Sequence, residues 1–316
     1  MTSLAVAFLA DTLIGDPRWL PHPVRLFGAV ASCVDRFRKR VGFDIALGIL
    51  LALGLPAGVT CGSYAGLAWL RERDPRAAFA AEAFALYTCL AARSMAKYAR
   101  AVEGALRAGD LPAARQAVGR IVGRQTAELD GAGVARAAVE SVAESSVDGV
   151  LSPLFWAAVG VAWGVAAPAA LAFKAVSTLD SMVGYRTGGY ARFGWASARL
   201  DDLANWIPAR LSIPLIAIAS ALTGHRPFAA LRVGLRDGGR HPSPNAARSE
   251  AAFAGALGVA LGGPMLRRGE VDDRPVLGAE GGVPAADTIR SSVDLMWVTS
   301  FLGLLCALAA HAALSS

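Results

Sequence analysis

Apolar residues gather in seven runs, at roughly 3–14, 43–70, 77–92, 150–176, 211–223, 251–263 and 293–314. Only those starting near 43, 150 and 293 reach the ~20 residues that a helix needs to cross a hydrocarbon core. The shorter runs predict half-helices, interfacial segments or helices packed within a bundle. Pro56, with glycines around it, marks a place where the 43–70 run can break. Between 93 and 139 the pattern changes to alanine and arginine with apolar residues at helical spacing, which predicts amphipathic helices on or beside a membrane. A turn at "AGDLP" divides them, with Asp110 as a cap. Glycine, proline and charge gather again over 264–286, a predicted loop. No β-alternation is long enough for a sheet, and there is no repeat.

The run 150–176, "VLSPLFWAAVGVAWGVAAPAALAFKAV", has carboxylate-bearing sequence on both sides. A single crossing would put Glu144 and Asp180 on opposite faces of a membrane. If both serve one site, the run must enter and return, breaking between Gly160 and Pro168, where glycine and proline concentrate. The expected architecture is therefore all-α. It is a polytopic membrane helical bundle with re-entrant or broken helices and amphipathic cytoplasmic-side helices. It forms a single integral membrane domain over 1–316, with the amphipathic insertion at about 93–139 and the loop at about 264–286.

Composition agrees with a membrane protein that carries substantial polar loops. Of 316 residues 54% are hydrophobic and 18% charged, and the mean hydropathy is +0.44. The net charge of +6 comes from arginines lying between apolar runs, a distribution suited to phosphates or anionic lipid head groups. No nucleic-acid motif or aromatic-rich basic face is present, so nucleic acid is excluded as a partner. Cys33, Cys61, Cys89 and Cys306 have neither disulfide nor zinc spacing and read as small buried hydrophobes. The start, "MTSLAVAFLADTLIGDP", lacks a basic n-region and reads as a retained first helix.

Four polar stretches could carry chemistry. In "ESVAESSVDGV", 140–150, Glu140, Glu144 and Asp148 recur every four residues and share one face of a helix. Like charges at that spacing repel, so a cation or basic side chains should answer them; the alternative is a solvated acidic stripe. In "DTLIGDPRWLPHPVRLFG", 11–28, three prolines fix a rigid path that aims Asp16, His22 and Arg25. The alternative there is an interfacial anchor, with Trp19 and the arginines at the lipid boundary. "KAVSTLDSMVGYRTGGYARFG", 174–194, sets Lys174, Asp180 and Arg186 beside Gly188 and Gly189, a loop able to receive a phosphate but not a P-loop. "ARLDDLANWIPAR", 198–210, places Asp201 and Asn205 on one helical face, oxygen ligands suited to magnesium or simply a capped helix with an Arg199–Asp202 pair.

A further stretch, "RDGGRHPSPNAARSEAAFAGALGVALGG", predicts a helix start with Ser243 as N-cap and Pro244 first in the helix. Its amides beside Arg240 and Arg248 would form an anion site. Gly255, Gly258, Gly262 and Gly263 predict a small-residue packing face. His225, His241 and His311 stand isolated. The recurring combination of carboxylate and arginine at loop ends suits a phosphorylated substrate held with magnesium.

Taken together, "GDPRWLPHPVR", "GRIVGRQT", "ESVAESSVDGVLSPLFW", "KAVSTLDSMVGY", "ARLDDLANWIPAR", "SPNAARSEAAFAGALGVALGG" and "RPVLG" resemble, in order from about residue 11 to 278, the CobD/CbiB family of adenosylcobinamide-phosphate synthases. The resemblance implies a multi-pass enzyme of the bacterial inner membrane with its active site on the cytoplasmic side. Its reaction joins the f-propionate of adenosylcobyric acid to (R)-1-aminopropan-2-ol phosphate, or aminopropanol, with ATP as co-substrate and Mg2+. The partners it implies are a corrinoid, an aminoalcohol phosphate, the lipid bilayer and other late cobalamin-pathway membrane enzymes. On this reading Glu140, Glu144, Asp148 and Asp180 bind magnesium or orient the amine. Arg25, Lys174, Arg186, Asn245 and Arg248 hold phosphates or the substrate carboxylate, while Asp16 and His22 shape the pocket. The chain departs from the family pattern at Gln125, Ser145, Ser177 and Ala247, which bears on substrate preference. An AmpE-like membrane sensor and a corrinoid transporter are the competing readings.

Overall fold

The structure is a computed structural model that describes residues 2–17, 19–185, 189–241, 243–267 and 270–315. In chain order its helices are α1 (Thr2–Ile14), α2 (Pro23–Val41), α3 (Asp44–Arg73), α4 (Pro75–Tyr87), α5 (Ala92–Arg107), α6 (Leu111–Val118) and α7 (Gly131–Ser146). There follow α8 (Ser152–Val161), α9 (Ala166–Val183), α10 (Trp195–Ala204), α11 (Trp206–Leu222), α12 (Pro227–Asp237), α13 (Ala246–Leu257) and α14 (Ala286–Ser315). A π-helical turn, Val147–Leu151, follows α7. Extended structure among the described residues comprises four two- or three-residue strands, β1 (Leu261–Gly262), β2 (Met265–Arg267), β3 (Glu270–Asp272) and β4 (Val276–Leu277), and a bridge between Val259 and Gly282. The all-α expectation holds. Two helices, α3 and α14, are long and apolar enough to cross a membrane; α10 and α11, interrupted at Asn205, would add a third crossing only as one broken span.

By contact the chain divides into two compact units. The first is Met1–Leu90, Ser152–Asn205 and Leu304–Ser316; the second is Ala91–Leu151 and Trp206–Gly303.

In the first unit α2, α3 and α9 meet around Ala31, Leu51, Leu179, Val183 and Phe193. The expected break of α3 at Pro56 does not occur. The ring removes one ladder hydrogen bond, but Pro56 is buried beside Leu51 and Ala52, and its carbonyl accepts from Thr60 Oγ1 at 2.9 Å. Long apolar flanks on both sides keep the remaining ladder intact. The 150–176 run does break where glycine and proline concentrate. α8 ends at Val161, Val165 N–H returns to Gly160 O at 2.8 Å, Gly164 adopts a left-handed φ of 69°, and α9 packs back along α8. The turn is thus a helical hairpin, and neither α8 nor α9 is among the helices long and apolar enough to cross a membrane.

Arg38 closes the open end of α2. Its guanidinium donates to Asp35 (2.7 Å), Asp44 (3.0 Å) and Gly189 O (3.2 Å), and it lies over the rings of Tyr190 and Phe193. Nothing in the spacing singled this residue out, because its partners come from three separate segments.

In the second unit α5 buries Ala92, Ala96, Ala99 and Val102, one stripe at helical spacing. Asp110 caps α6, accepting from Ala113 N–H at 2.9 Å, as expected. The predicted loop 264–286 contains the β2–β3 ribbon, and β4 returns to pair with β1 in the register Leu261↔Leu277, Gly262↔Val276.

Two expectations fail around α13. The helix starts at Ala246, not at Pro244, because the Ser243 hydroxyl accepts from Asn245 N–H (3.4 Å) and builds a turn instead of a cap. The glycine face is also interrupted. The helix ends at Gly258, which caps it in the left-handed region (φ 68°), and Gly262 and Gly263 lie beyond, in and after β1. Of that set only Gly255 serves helix packing: a Cβ there would stand 2.3 Å from Ala229 O of α12. The cysteines are unbridged, and only Cys89 is buried. Cys61 and Cys306 lie exposed on the two apolar spans, α3 and α14, where a small hydrophobe meets solvent or lipid and not a core.

Candidate functional site

Four of the motif segments converge inside the second unit, and Glu140 is where they meet. It lies on α7, buried, and one carboxylate oxygen accepts from Arg124 of the "GRIVGRQT" segment. The other accepts from Gly262 N–H at 2.7 Å. Gly262 is held in place by β4, part of "RPVLG", through the β1–β4 pair. A second tether runs from Ser141 Oγ to Ile121 O at 3.2 Å. "RPVLG" is anchored in turn by Asp237, whose carboxylate accepts from Gly278 N–H (2.9 Å) while bound by Arg236.

The three-carboxylate row is therefore not uniform. Glu140 is buried and fully engaged, Glu144 is exposed, and Asp148 is half-buried. Asp148 also differs in its backbone, because it lies in the π turn Val147–Leu151, where i→i+5 bonding replaces the α-helical pattern that carries Glu140 and Glu144. The basic answer to the row is real for Glu140, which has Arg124.

The carboxylate most perturbed by its surroundings was missed by sequence reasoning. Glu250, on α13, is 5% exposed. Burial pushes its carboxyl well above the usual range; the Glu140 and Glu144 carboxylates push the same way, and Arg274 and Arg124 oppose them. The surroundings of Glu250 therefore favour its neutral form. The available signal was a lone glutamate in "SEAAFAGAL", a stretch otherwise small and apolar.

On the same helix, Asn245 is buried and accepts from Arg210 at 3.3 Å. Arg248 turns back to donate to Pro244 O at 3.1 Å and packs against the end of α12 at Gly238. The expected anion site at the helix start is consequently reshaped. Arg248 occupies the carbonyl end of the turn, and Ser243 holds the Asn245 amide.

The first unit assembles the proline-rich loop as the sequence predicts. His22, between Pro21 and Pro23, caps α2, its Nδ1 accepting from Val24 N–H at 3.2 Å. Asp16, Lys174 and Arg25 surround it. Burial lowers the imidazole pKa most; Asp16 raises it, Lys174 and Arg25 lower it, and a hydrogen bond with the Thr88 backbone raises it. The net result is a neutral imidazole at physiological pH. Near this cluster are Tyr87, whose hydroxyl donates to Gly15 O, and Cys89, whose buried thiol is pushed up to about 12 and is inert as a nucleophile.

Asp180 lies further along α9 in the same unit. A Cβ on Gly184 would stand 1.9 Å from its Oδ1, so the carboxylate folds over the helix end at that glycine. Arg186 and Gly188 fall outside the described residues. Asp201 and Asn205 behave as a structural pair: Asn205 Nδ2 donates to Asp201 (3.1 Å), and Ser152 Oγ donates to Asn205 Oδ1 at 2.6 Å. Arg199 and Asp202 form the surface pair, at 3.7 Å.

Among the described residues no three His, Cys, Asp or Glu side chains are grouped to hold a metal ion, and Glu140 has both oxygens committed.

Comparison with known proteins agrees with the motifs. The family model described as "CobD/Cbib protein" matches residues 4–296. The chain is 44% identical to the cobalamin biosynthesis protein CbiB of Salmonella typhi, covering 100% of this chain and 99% of that one. It is 45% identical to the cobalamin biosynthesis protein CobD of Geobacter metallireducens (95% and 93%) and 41% identical to that of Pelobacter propionicus (99% and 96%). No solved structure matches the chain. A match over nearly the whole length, at this identity and with the motif segments folded together around Glu140, shows that the chain belongs to the CobD/CbiB family of cobalamin biosynthesis proteins.

Proposed function

We propose that the protein is an adenosylcobinamide-phosphate synthase, which condenses the f-propionate of adenosylcobyric acid with the amine of (R)-1-aminopropan-2-ol phosphate at the cytoplasmic face of the inner membrane. The observation that carries this reading is the convergence of "GRIVGRQT", "ESVAESSVDGV", "SEAAF" and "RPVLG" on one set of charges, Arg124, Glu140, Glu144, Glu250 and Arg274.

Chemically, a carboxylate is a poor acyl donor. Transfer of the ATP γ-phosphoryl group to it makes an acyl phosphate and releases ADP; attack by the neutral amine then forms the amide and releases phosphate. The amine arrives as an ammonium ion and must lose a proton first. Glu144, exposed at the edge of the acidic cluster, binds the ammonium and takes that proton, a role worth about 10²–10⁴ in rate. Glu250 stays neutral and so can donate a hydrogen bond without adding a third negative charge. Glu140, locked to Arg124 and Gly262, positions the row and is not itself the base. In the first unit Arg25 and Lys174 supply cationic donors for phosphate or carboxylate groups, and neutral His22 adds an uncharged polar contact next to Asp16. Asp148, Asp180, Asn245 and Arg248 line or support these clusters. Magnesium enters with ATP and is assigned no protein ligand.

The test supplies adenosylcobyric acid, aminopropanol phosphate, ATP and magnesium to membranes containing the protein. Adenosylcobinamide phosphate should form, and its rate should fall at least about a hundredfold in Glu144→Ala. Corrinoid uptake without amide formation would replace the synthase by a transporter. Neither product nor uptake would leave the sensor reading.

A further inference from the structure

A cavity of about 250 Å³ lies in the first unit at the end of the α3 span. It is lined by Tyr64, Leu67, Ala68, Arg71 and Glu72 of α3 and by Gly164 and Pro168 of the hairpin turn and α9. The five α3 residues follow the spacing i, i+3, i+4, i+7, i+8, so a single stripe of the helix forms one wall. That stripe grades from apolar to charged along the helix: Leu67 and Ala68 come first, and one turn later come Arg71 and Glu72. No hydrogen bond or ion pair engages Arg71 or Glu72 among the described residues, and the neighbouring Arg73 is stacked on Trp69 at 4.0 Å. Asp74, the nearest other acid in sequence, is spent on the Arg76 and Ala77 amides as the cap of α4.

Three features fix the depth of this cavity. α3 is a candidate span with only 17% of its apolar window buried, so its flank meets lipid. Its apolar sequence ends at these arginines. Exposed Trp69 and Trp163 stand on the same helix end and the same hairpin turn, and tryptophan at both elements marks a water–lipid boundary.

We propose that this cavity is a binding site for an anionic phospholipid, with phosphatidylglycerol as its chemical type. Arg71 pairs with the lipid phosphate, Glu72 faces the glycerol hydroxyls, and the acyl segment lies against Leu67, Ala68 and Pro168, with Tyr64 one turn deeper on the same stripe. A simple anion would meet Glu72 as well as Arg71. A head group that carries both a phosphate and hydroxyl donors satisfies the two side chains together. The cation at a helix C-terminus is also favourably placed against the helix dipole, so it is held where the head group sits.

The experiment is native mass spectrometry of the full chain released from detergent, after equilibration with phosphatidylglycerol or phosphatidylcholine of identical acyl chains. The wild-type protein should retain phosphatidylglycerol about fivefold better, the effect of one interfacial arginine. Arg71→Gln should erase the preference and Arg71→Lys should keep it, while Ala68→Phe should fill the cavity and reduce retention of either lipid. Thermal melting of each variant separates loss of the site from loss of the fold. Equal retention of the two lipids by the wild type, a preference unchanged in Arg71→Gln, or retention unchanged in Ala68→Phe overturns the proposal. So does displacement of the lipid by millimolar inorganic phosphate, which would mark a soluble-anion site.

Discussion

The two charge clusters are built by opposite means. In the first unit Asp16 and His22 sit on a loop whose direction is set by Pro17, Pro21 and Pro23, Arg25 follows in the first turn of α2, and Lys174 joins them from α9. Its charges are mixed in sign, Asp16 and Arg25 exposed and Lys174 half-buried, and the scaffold is backbone stiffness. In the second unit the acids stand on α7 and α13, Glu140 and Glu250 are buried, and the scaffold is a long-range ion pair plus a strand pair. A loop-built cluster tolerates change in any one charge, because solvent takes over. A buried, helix-built cluster does not, because each missing partner leaves a desolvated charge. Stability measurements should therefore separate the two units sharply.

The largest effect is expected from Arg124→Met. It leaves the Glu140 carboxylate buried with only the Gly262 amide, and loss of one partner from a buried pair costs about 3–5 kcal/mol. Adding Glu140→Gln removes the charge while keeping an acceptor for Gly262 N–H, and should recover most of the loss. The matched change in the first unit, Lys174→Met, should cost under about 1 kcal/mol. Melting of the detergent-solubilised protein checks all three. If Arg124→Met melts with the wild type, the ion pair does not organise the motifs and the comparison collapses.

The next effect is a pH slope. Glu250 has its folded pKa raised, mainly by burial, so the stability associated with its neutral form is fully present below the ordinary carboxylate range. It is lost as pH rises towards the folded pKa, because the unfolded chain ionises first. Glu250→Gln cannot ionise. Its melting temperature should hold steady across the interval where the wild type declines, so the variant should be relatively more stable at the alkaline end. Parallel pH curves for the two proteins would show that Glu250 titrates as it does in water. The same variant keeps a hydrogen-bond donor beside Glu144, so amide formation should survive in it far better than in Glu144→Ala.

What the sequence reveals follows from how local each cause is. The spans α3 and α14 are legible because about 20 apolar residues have few other uses. The hairpin break is legible because glycine and proline crowd one short interval. The clustering of Asp16, His22 and Arg25 is legible because three prolines leave the chain little freedom. Where the cause is distant, the reading fails. Pro56 predicts a break, yet the flanking ladder of α3 absorbs it. Ser243 reads as a helix cap but closes a turn one step earlier. Glu140 and Asp148 look equivalent on a wheel of 3.6 residues, but Arg124 comes from sixteen residues away and a π turn intervenes. Glu250 acquires its character wholly from neighbours on other segments, so its own helix shows only a glutamate among alanines.

A third and more modest effect tests whether the first cluster is chemistry or merely a cap. His22 holds the first turn of α2 through Val24 N–H, and loss of an N-cap costs about 1 kcal/mol. His22→Ala should lose that amount, whereas His22→Asn, whose side chain also caps well, should melt with the wild type. The imidazole's own titration adds a sign that can be checked. With its folded pKa lowered by burial, its contribution is present above the ordinary histidine range and is lost as pH falls through the folded pKa. Neither variant should show that acid-side loss. Activity then divides the readings. If His22→Asn restores stability but lowers the rate of amide formation, the imidazole contributes a contact of its own beside Asp16 and Lys174. If it restores both, the histidine is a helix cap, and the binding role in this unit passes to Arg25 and Lys174.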